Sequence, residues 1–288
     1  MDTAVLNALN TARAEPPRCD GKGLYHRGAP IIQVDNVSKR YANGTVALER
    51  ARLEIWSGDF VTLIGPSGCG KSTLLRILSG LGAVTEGSIQ WWGETTPVLE
   101  RPDQKLAFVF QDPTLMPWAR VFENVALPLE LKGTLDRATV QRKVEEVLNL
   151  VGLGAFQQAY PRELSGGMQM RVSIARALVT EPNLMLMDEP FGALDEMTRN
   201  KLNDDLMRIQ HERKLTVVFV THSLHEAVYL SSRVVVMAAR PGRVIAEVGI
   251  DAPFPRGTAF RLSAEYLQYM TRLSAALDAA SRGEEIAP

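Results

Sequence analysis

Short apolar runs of strand length alternate with longer stretches of helical spacing along most of this chain. Residues 31–37, 48–55 and 60–64 are such runs, and the third stops abruptly at a glycine-rich loop. They predict three strands before residue 65. Residues 72–81 carry apolar side chains at helical spacing, and 87–93 and 106–110 return to strand character. The style then changes. From residue 111 to about 165 the chain carries Pro113, Pro117 and Pro128, a helical run at 121–131 and a charged amphipathic helix at 136–150. This stretch predicts a helical subdomain, about 112–165, inserted into the alternating pattern. Strand and helix signals resume at 184–187, 196–211, 216–221 and 234–237. Such alternation specifies an α/β fold with a mostly parallel sheet and helices on its faces.

The flanks differ from this body. Residues 1–29 hold Pro16-Pro17 and Gly21-Lys22-Gly23 without a sustained period, which predicts a mobile extension. Residues 251–288 begin with Pro and Gly and continue into a weak amphipathic pattern of Phe260, Leu262, Tyr266, Leu267, Tyr269, Met270 and Leu273. That pattern fits a docked helix or a partner surface. The division expected is therefore an extension at 1–29, a main domain at 30–250 and a second extension at 251–288.

Composition narrows the function class without naming it. The 288 residues are 45% hydrophobic and 23% charged, ordinary globular values. A formal net charge of -1 argues against nucleic acid as the partner, which selects for a basic excess. No apolar run approaches the roughly 18 to 20 residues of a spanning helix. The first residues lack a basic segment followed by an apolar core, so no secretory signal is expected. Cys19 and Cys69 are the only cysteines, and a reducing cytosol without a structural disulfide is the natural setting.

The chemistry begins at Gly65-Pro66-Ser67-Gly68-Cys69-Gly70-Lys71-Ser72, which matches G-x-x-x-x-G-K-[ST] between a predicted strand and a predicted helix. Glycines at 65, 68 and 70 let backbone N–H groups converge on phosphate oxygens, and the helix start adds its positive dipole end. Lys71 suits the outer phosphates and the Ser72 hydroxyl suits Mg²⁺. Downstream, Leu184-Met185-Leu186-Met187 ends in Asp188-Glu189. Carboxylates at the C-terminal end of a buried strand stand where open α/β sheets bind ligands. Asp188 is expected to hold Mg²⁺ through water, and Glu189 to orient or deprotonate the attacking water. Between them lies Leu164-Ser165-Gly166-Gly167-Met168-Gln169-Met170-Arg171, where Ser165 has the place of a helix N-cap.

These three motifs in this order resemble the ATP-binding cassette of ABC transporters, and the resemblance runs from about residue 31 to 250. It implies a P-loop NTPase core of RecA-like type, with an antiparallel β subdomain and an inserted α-helical subdomain. It implies that Ser165, Gly166 and Gly167 of one subunit complete the γ-phosphate site of another, so that ATP binding closes a dimer, here expected to be a homodimer. Members usually carry Gln where this chain has Met168, which removes any contact assigned to that glutamine. The resemblance further places adenine on the Tyr41 ring and gives Gln111 the role of sensing Mg²⁺. Asp195 falls in the loop that crosses between subunits, with a plain helix N-cap as the competing reading. The resemblance also implies that His222, after an apolar run and Thr221, is the γ-phosphate-contacting histidine. The expected cofactors are ATP and Mg²⁺. The nucleotide contacts are Tyr41, residues Gly65 to Ser72, Thr73, Gln111, Ser165, Gly166, Gly167, Asp188 and Asp195. Ser72, Gln111 and Asp188 are the Mg²⁺ set, and Lys71, Glu189 and His222 the catalytic one.

The segment Phe110-Gln111-Asp112-Pro113-Thr114-Leu115-Met116-Pro117-Trp118 and the run Val121-Phe122-Glu123-Asn124-Val125 are similar to the ATPases of bacterial nitrate, sulfonate and taurine importers. That likeness implies a peripheral protein on the cytoplasmic face of the membrane, an integral permease as partner and, through it, an extracytoplasmic solute-binding protein. Leu115, Met116, Trp118, Val121 and Phe122 are too apolar for a plain loop, and fit either a groove for the permease or the subdomain's own core. The rival readings are an ABC ATPase outside transport and a nucleotide-binding regulatory module without turnover.

Overall fold

The computed structural model describes residues 30–95 and 104–282. The N-terminal extension lies outside them. The described residues divide into two compact units, one formed by 30–95 and 216–282, the other by 104–215.

In the first unit, β1 (Ile32–Arg40), β2 (Val46–Ile55) and β4 (Glu86–Trp91) form a three-stranded antiparallel sheet in the order β2-β1-β4. Ile32 and Val34 of β1 are buried while Gln33 and Asp35 face out, and Ala51, Leu53 and Ile55 of β2 repeat that alternation. A period of two with one wet face is what an antiparallel layer requires.

Beside it stand β3 (Phe60–Ile64), β7 (Thr216–Val220) and β8 (Arg233–Ala238), each buried along its whole length. They pair in parallel, β3 with β7 and with β8, and their continuous Val, Ile and Phe runs are the pattern of strands covered on both faces. A further strand, β9 (Arg243–Gly249), returns antiparallel to β8. Sequence reading missed β9 because five successive residues are half-buried and no alternation shows. Helix α1 (Lys71–Leu78) follows β3 and buries Leu74, Leu75, Ile77 and Leu78.

The second unit holds the parallel pair β5 (Leu106–Val109) and β6 (Leu184–Asp188), in register from Leu106 with Leu184 to Val109 with Met187. Its helices are α2 (Val121–Lys132), α3 (Arg137–Leu150), α4 (Gly166–Leu178) and α5 (Glu196–Arg213). Asp136 caps α3 through its carboxylate, 3.0 Å from the Thr139 N–H, so the amphipathic run starts where its acidic residue allows. Arg171 ties α4 to its neighbours: it meets Asp205 of α5 at 2.7 Å and the Val151 carbonyl beyond α3 at 2.8 Å.

The remaining helices belong to the first unit: α6 (Leu224–Leu230), the short α7 (Thr258–Arg261) and α8 (Ala264–Arg282). The C-terminal segment is thus a docked helix. Tyr266, Leu273, Ala276, Ala279 and Ala280 of α8 are buried against α6, β8 and β9, while Leu262 and Leu267 stay exposed. Small alanines on the buried face let the helix lie close to the sheet.

Candidate functional site

The phosphate loop connects the C-terminal end of β3 to the first turn of α1. Its glycines are fixed by space as well as by backbone angle. A Cβ on Gly65 would lie 2.3 Å from the Met237 carbonyl oxygen. Gly70, at φ 90°, would bring one to 2.6 Å from the Ala47 oxygen and 2.8 Å from Leu48 Cδ2. Gly70 is also the N-cap of α1 and offers no side-chain acceptor to its first turn. Ser67 and Gly68 are exposed at the rim, whereas Cys69 and Lys71 are buried. Lys71 Nζ donates to the Gly65 carbonyl at 2.9 Å and the Pro66 carbonyl at 3.2 Å, and lies 3.8 Å from Cys69 Sγ. Burial pushes the Cys69 thiol pKa upward despite the neighbouring ammonium.

Because β3 and β7 are parallel and Leu63 stands opposite Val220, the chain leaves both strands at the same edge. His222 therefore joins the phosphate loop at the C-terminal edge of the first unit, two residues past β7, and its side chain is exposed there. The turn that carries it is stitched from below. Thr221 donates its hydroxyl to the buried Glu226 carboxylate and accepts the Ser223 N–H at 3.0 Å, while Ser223 Oγ accepts the Glu226 N–H at 3.3 Å. Tyr41 is not a core residue: it is 42% exposed, and its hydroxyl is 3.3 Å from Thr73 Oγ1 of α1. Lys39 Nζ sits 5.4 Å from its ring centre.

The second unit repeats the arrangement. Parallel pairing of β5 with β6 brings Gln111 and the Asp188-Glu189 pair to one C-terminal edge, and a Cβ on Gly192 would be 4.0 Å from Gln111 Nε2 and from Glu189 Cβ. Glu189 adopts φ 46°, a left-handed conformation that is uncommon for a residue with a side chain. Its carbonyl accepts the Gly192 N–H at 3.1 Å, which closes the turn.

Two helix starts meet in the same unit. Ser165 caps α4, accepting the Met168 N–H at 3.3 Å, and Asp195 caps α5, accepting the Thr198 N–H at 3.0 Å. Hydrogen bonds from the Thr198 backbone and hydroxyl hold the Asp195 carboxyl below its ordinary pKa. A Cβ on Gly167 would fall 2.5 Å from Thr198 Cγ2, and one on Gly166 would touch Leu194 at 3.8 Å. Glycine is thus required where α4 crosses the start of α5. Gln169, one position beyond Met168, turns inward and donates to the Pro161 carbonyl at 3.0 Å and the Leu164 carbonyl at 3.3 Å, bracing the turn before α4.

Sequence reasoning missed two organising residues here. Asn124, fully buried, donates to the carbonyls of Met116, Ala119 and Arg120 and accepts the Met116 N–H at 2.8 Å. Arg176 of α4 holds the Pro113 carbonyl at 2.8 Å and the Thr114 carbonyl at 2.9 Å. Together they fix the segment after Gln111 so that Trp118 is 76% exposed while Val121 is fully buried. No local pattern marks Asn124, which shares α2 with Glu123, Glu130 and Lys132.

The model of the family described as "ABC transporter" matches residues 48–192, half of the chain. The chain belongs to the ABC transporter family. It is an ABC-type ATPase, a subunit that binds and hydrolyses ATP, and membership implies Mg²⁺ as the companion ion. Among its relatives is the aliphatic sulfonates import ATP-binding protein SsuB of Bacillus cereus, 46% identical over 228 residues, which are 78% of this chain and 88% of that protein. An uncharacterized ABC transporter ATP-binding protein of Methanocaldococcus jannaschii, MJ0412, is also 46% identical, over 84% of this chain and 89% of its own length. The ATP-binding cassette MJ0796, solved as a dimer in a post-hydrolysis state bound to ADP and Pi, is 36% identical. It superposes with a TM-score of 0.68 over 77% of this chain and all of its own. The ABC ATPase fold is therefore a RecA-like P-loop core with a mixed sheet and a helical subdomain, as the motifs implied.

Proposed function

We propose that this ABC ATPase powers the import of a small sulfonate-like solute through a membrane permease, working as a homodimer on the cytoplasmic face of the membrane. The observation that carries the solute class is the 46% identity to the sulfonate-import ATPase over 88% of that protein. No described helix is long and apolar enough to cross a membrane, which agrees with a peripheral subunit that borrows its pore. The dimeric state of the solved cassette supports the homodimer.

The loop from Gly65 to Ser72, with Thr73, receives the phosphates of ATP on its N–H groups, and Lys71 turns its ammonium from the loop carbonyls to the outer phosphates. Tyr41 offers its exposed ring to the adenine. Ser72, Gln111 and Asp188 present a hydroxyl, an amide oxygen and a carboxylate, the hard donors that suit Mg²⁺. Mg²⁺ supplies charge neutralisation for the departing phosphate. Glu189 orients the attacking water and accepts its proton, and His222 contacts the γ-phosphate. Ser165, Gly166, Gly167 and Asp195 of a second copy close over the nucleotide, with the N-terminus of α4 toward its charge. The exposed Trp118, with half-buried Leu115, Met116 and Phe122, forms the face for a cytoplasmic helix of the permease.

The test uses Glu189→Gln, which keeps the side-chain shape and removes the carboxylate. ATP turnover should fall by at least ~10² while ATP still binds, and an ATP-dependent dimer should accumulate in light scattering. Wild-type protein reconstituted with its permease and binding protein should hydrolyse ATP faster with an alkanesulfonate than with nitrate. Normal turnover in the variant would refute the catalytic role, and stimulation by nitrate alone would refute the solute class.

A further inference from the structure

The C-terminal segment does more than cover the sheet. It grips the helix that follows His222 at both ends. At the far end, Arg256, only 5% exposed, donates to the carbonyls of Val228 at 2.9 Å, Tyr229 at 3.0 Å and Ser231 at 2.8 Å, which are the last turn and cap of α6. The same guanidinium also holds the Ile250 and Ala252 carbonyls, both at 3.1 Å, and in return the Tyr229 hydroxyl donates to the Arg256 carbonyl at 2.7 Å. A cation on the carbonyl end of a helix is favoured by the helix dipole as well as by these bonds. The rings of Phe254 and Phe260, centred 4.1 and 5.1 Å from the guanidinium carbon, fix its plane. Phe260 meets Tyr266 of α8 edge-on, with ring centres 5.3 Å apart.

At the near end, the buried Tyr266 places its hydroxyl 2.9 Å from Nδ1 of His225 and 3.4 Å from the His225 carbonyl. His225 lies in the first turn of α6, one residue before Glu226. The Glu226 carboxylate takes the hydroxyl of Thr221, the residue that precedes His222. Arg256 and Tyr266 are therefore linked to the His222 turn through the seven residues of α6.

We propose that Arg256 and Tyr266 are positioning residues for His222, so that the C-terminal segment sets the rate of hydrolysis by holding α6. The inference rests on the γ-phosphate role of His222 given above. It assigns a role to the C-terminal segment that the motifs leave unspoken. Since a misplacement of ~1 Å at a reacting group can cost ~10² in rate, a loosened α6 should slow turnover well before it alters nucleotide binding at the phosphate loop.

The experiment compares Tyr266→Phe, Arg256→Lys and His222→Ala in the full-length chain. Tyr266→Phe removes one hydroxyl and keeps the buried ring, so it preserves the fold even if Arg256→Lys does not. In Tyr266→Phe kcat should fall about fivefold, and in a folded Arg256→Lys about tenfold, with the ATP Kd within about twofold of wild type. Amide hydrogen exchange at residues 221–224 should quicken in both, while β3 and the phosphate loop keep their protection. Unchanged kcat in Tyr266→Phe beside an inactive His222→Ala would overturn the inference and leave the histidine role standing. Full turnover in His222→Ala would overturn the histidine role, and the inference with it. A parallel loss of kcat and ATP affinity would show general loosening and also overturn it.

Discussion

Replacing Lys71 by alanine removes two functions of one ammonium, and the structure allows each to be sized. Lys71 is 4% exposed, and its Nζ bonds the Gly65 and Pro66 carbonyls at 2.9 and 3.2 Å. Hydrogen bonds to a charged donor contribute about 1.5–3 kcal/mol each when they cannot be replaced. Pro66 is only half-buried and the adjoining Ser67 and Gly68 are exposed, so water can replace part of what is lost. A net cost near ~1.5 kcal/mol follows, which for a chain of this size is roughly 3–6 °C in Tm. The second loss is the charge aimed at the phosphates, about 3 kcal/mol or roughly 10² in Kd. Melting curves with and without ATP separate the two. Wild-type protein at about 100 times its Kd gains ~2.7 kcal/mol from the ligand, and the variant at the same concentration gains almost none. An ATP Kd within about threefold of wild type would refute the phosphate role. An unchanged Tm without nucleotide would refute the bracing of the loop.

Cys69 should resist alkylation, because burial keeps its thiol protonated and the thiolate is the nucleophile. Mass spectrometry with iodoacetamide at pH 8 should show modification at Cys69 at least ~10-fold slower in native than in denatured protein, and equal rates would sink the reading. Trp118→Ala should leave basal ATPase activity and Tm nearly unchanged, within about 0.5 kcal/mol, while weakening recruitment to permease-containing membranes. Loss of ATPase activity with the permease fully bound would show that Trp118 serves the cassette itself and not the permease contact.

What could be read from the sequence was whatever local chemistry controls. The phosphate loop requires glycines between a strand and a helix, and its pattern shows in eight consecutive residues. The continuous apolar runs of β3, β7 and β8 likewise declare themselves as buried strands. The N-caps Ser165 and Asp195 were legible because a side-chain oxygen before a helical run has few other uses. Other features depend on residues distant in the chain. Arg256 reads as one more charged residue, yet folding surrounds it with carbonyls from residues 228 to 252. Of the tail's docking face the amphipathic pattern showed only Tyr266 and Leu273, since the face is set by β8, β9 and α6, and alanine, its commonest buried residue, carries little periodic signal. Asn124 was hidden for the opposite reason: its four hydrogen bonds are short-range, but no local pattern distinguishes a buried Asn from an exposed one.

Glu189 shows how these two kinds of information combine. By propensity a glutamate would not choose φ 46°, a region that costs an L-residue about 1–2 kcal/mol. The conformation persists because its surroundings over-determine it. Met187 and Phe191 on either side are fully buried, and the Gly192 N–H closes back on the Glu189 carbonyl at 3.1 Å. Backbone held in this way fixes the direction in which the Glu189 side chain leaves the end of β6. A glutamine at this position meets the same backbone and the same turn, which is why Glu189→Gln isolates chemistry from geometry. A local rule is broken at the end of β6, and the buried Met187 and Phe191 on either side of Glu189 hold the backbone in that conformation.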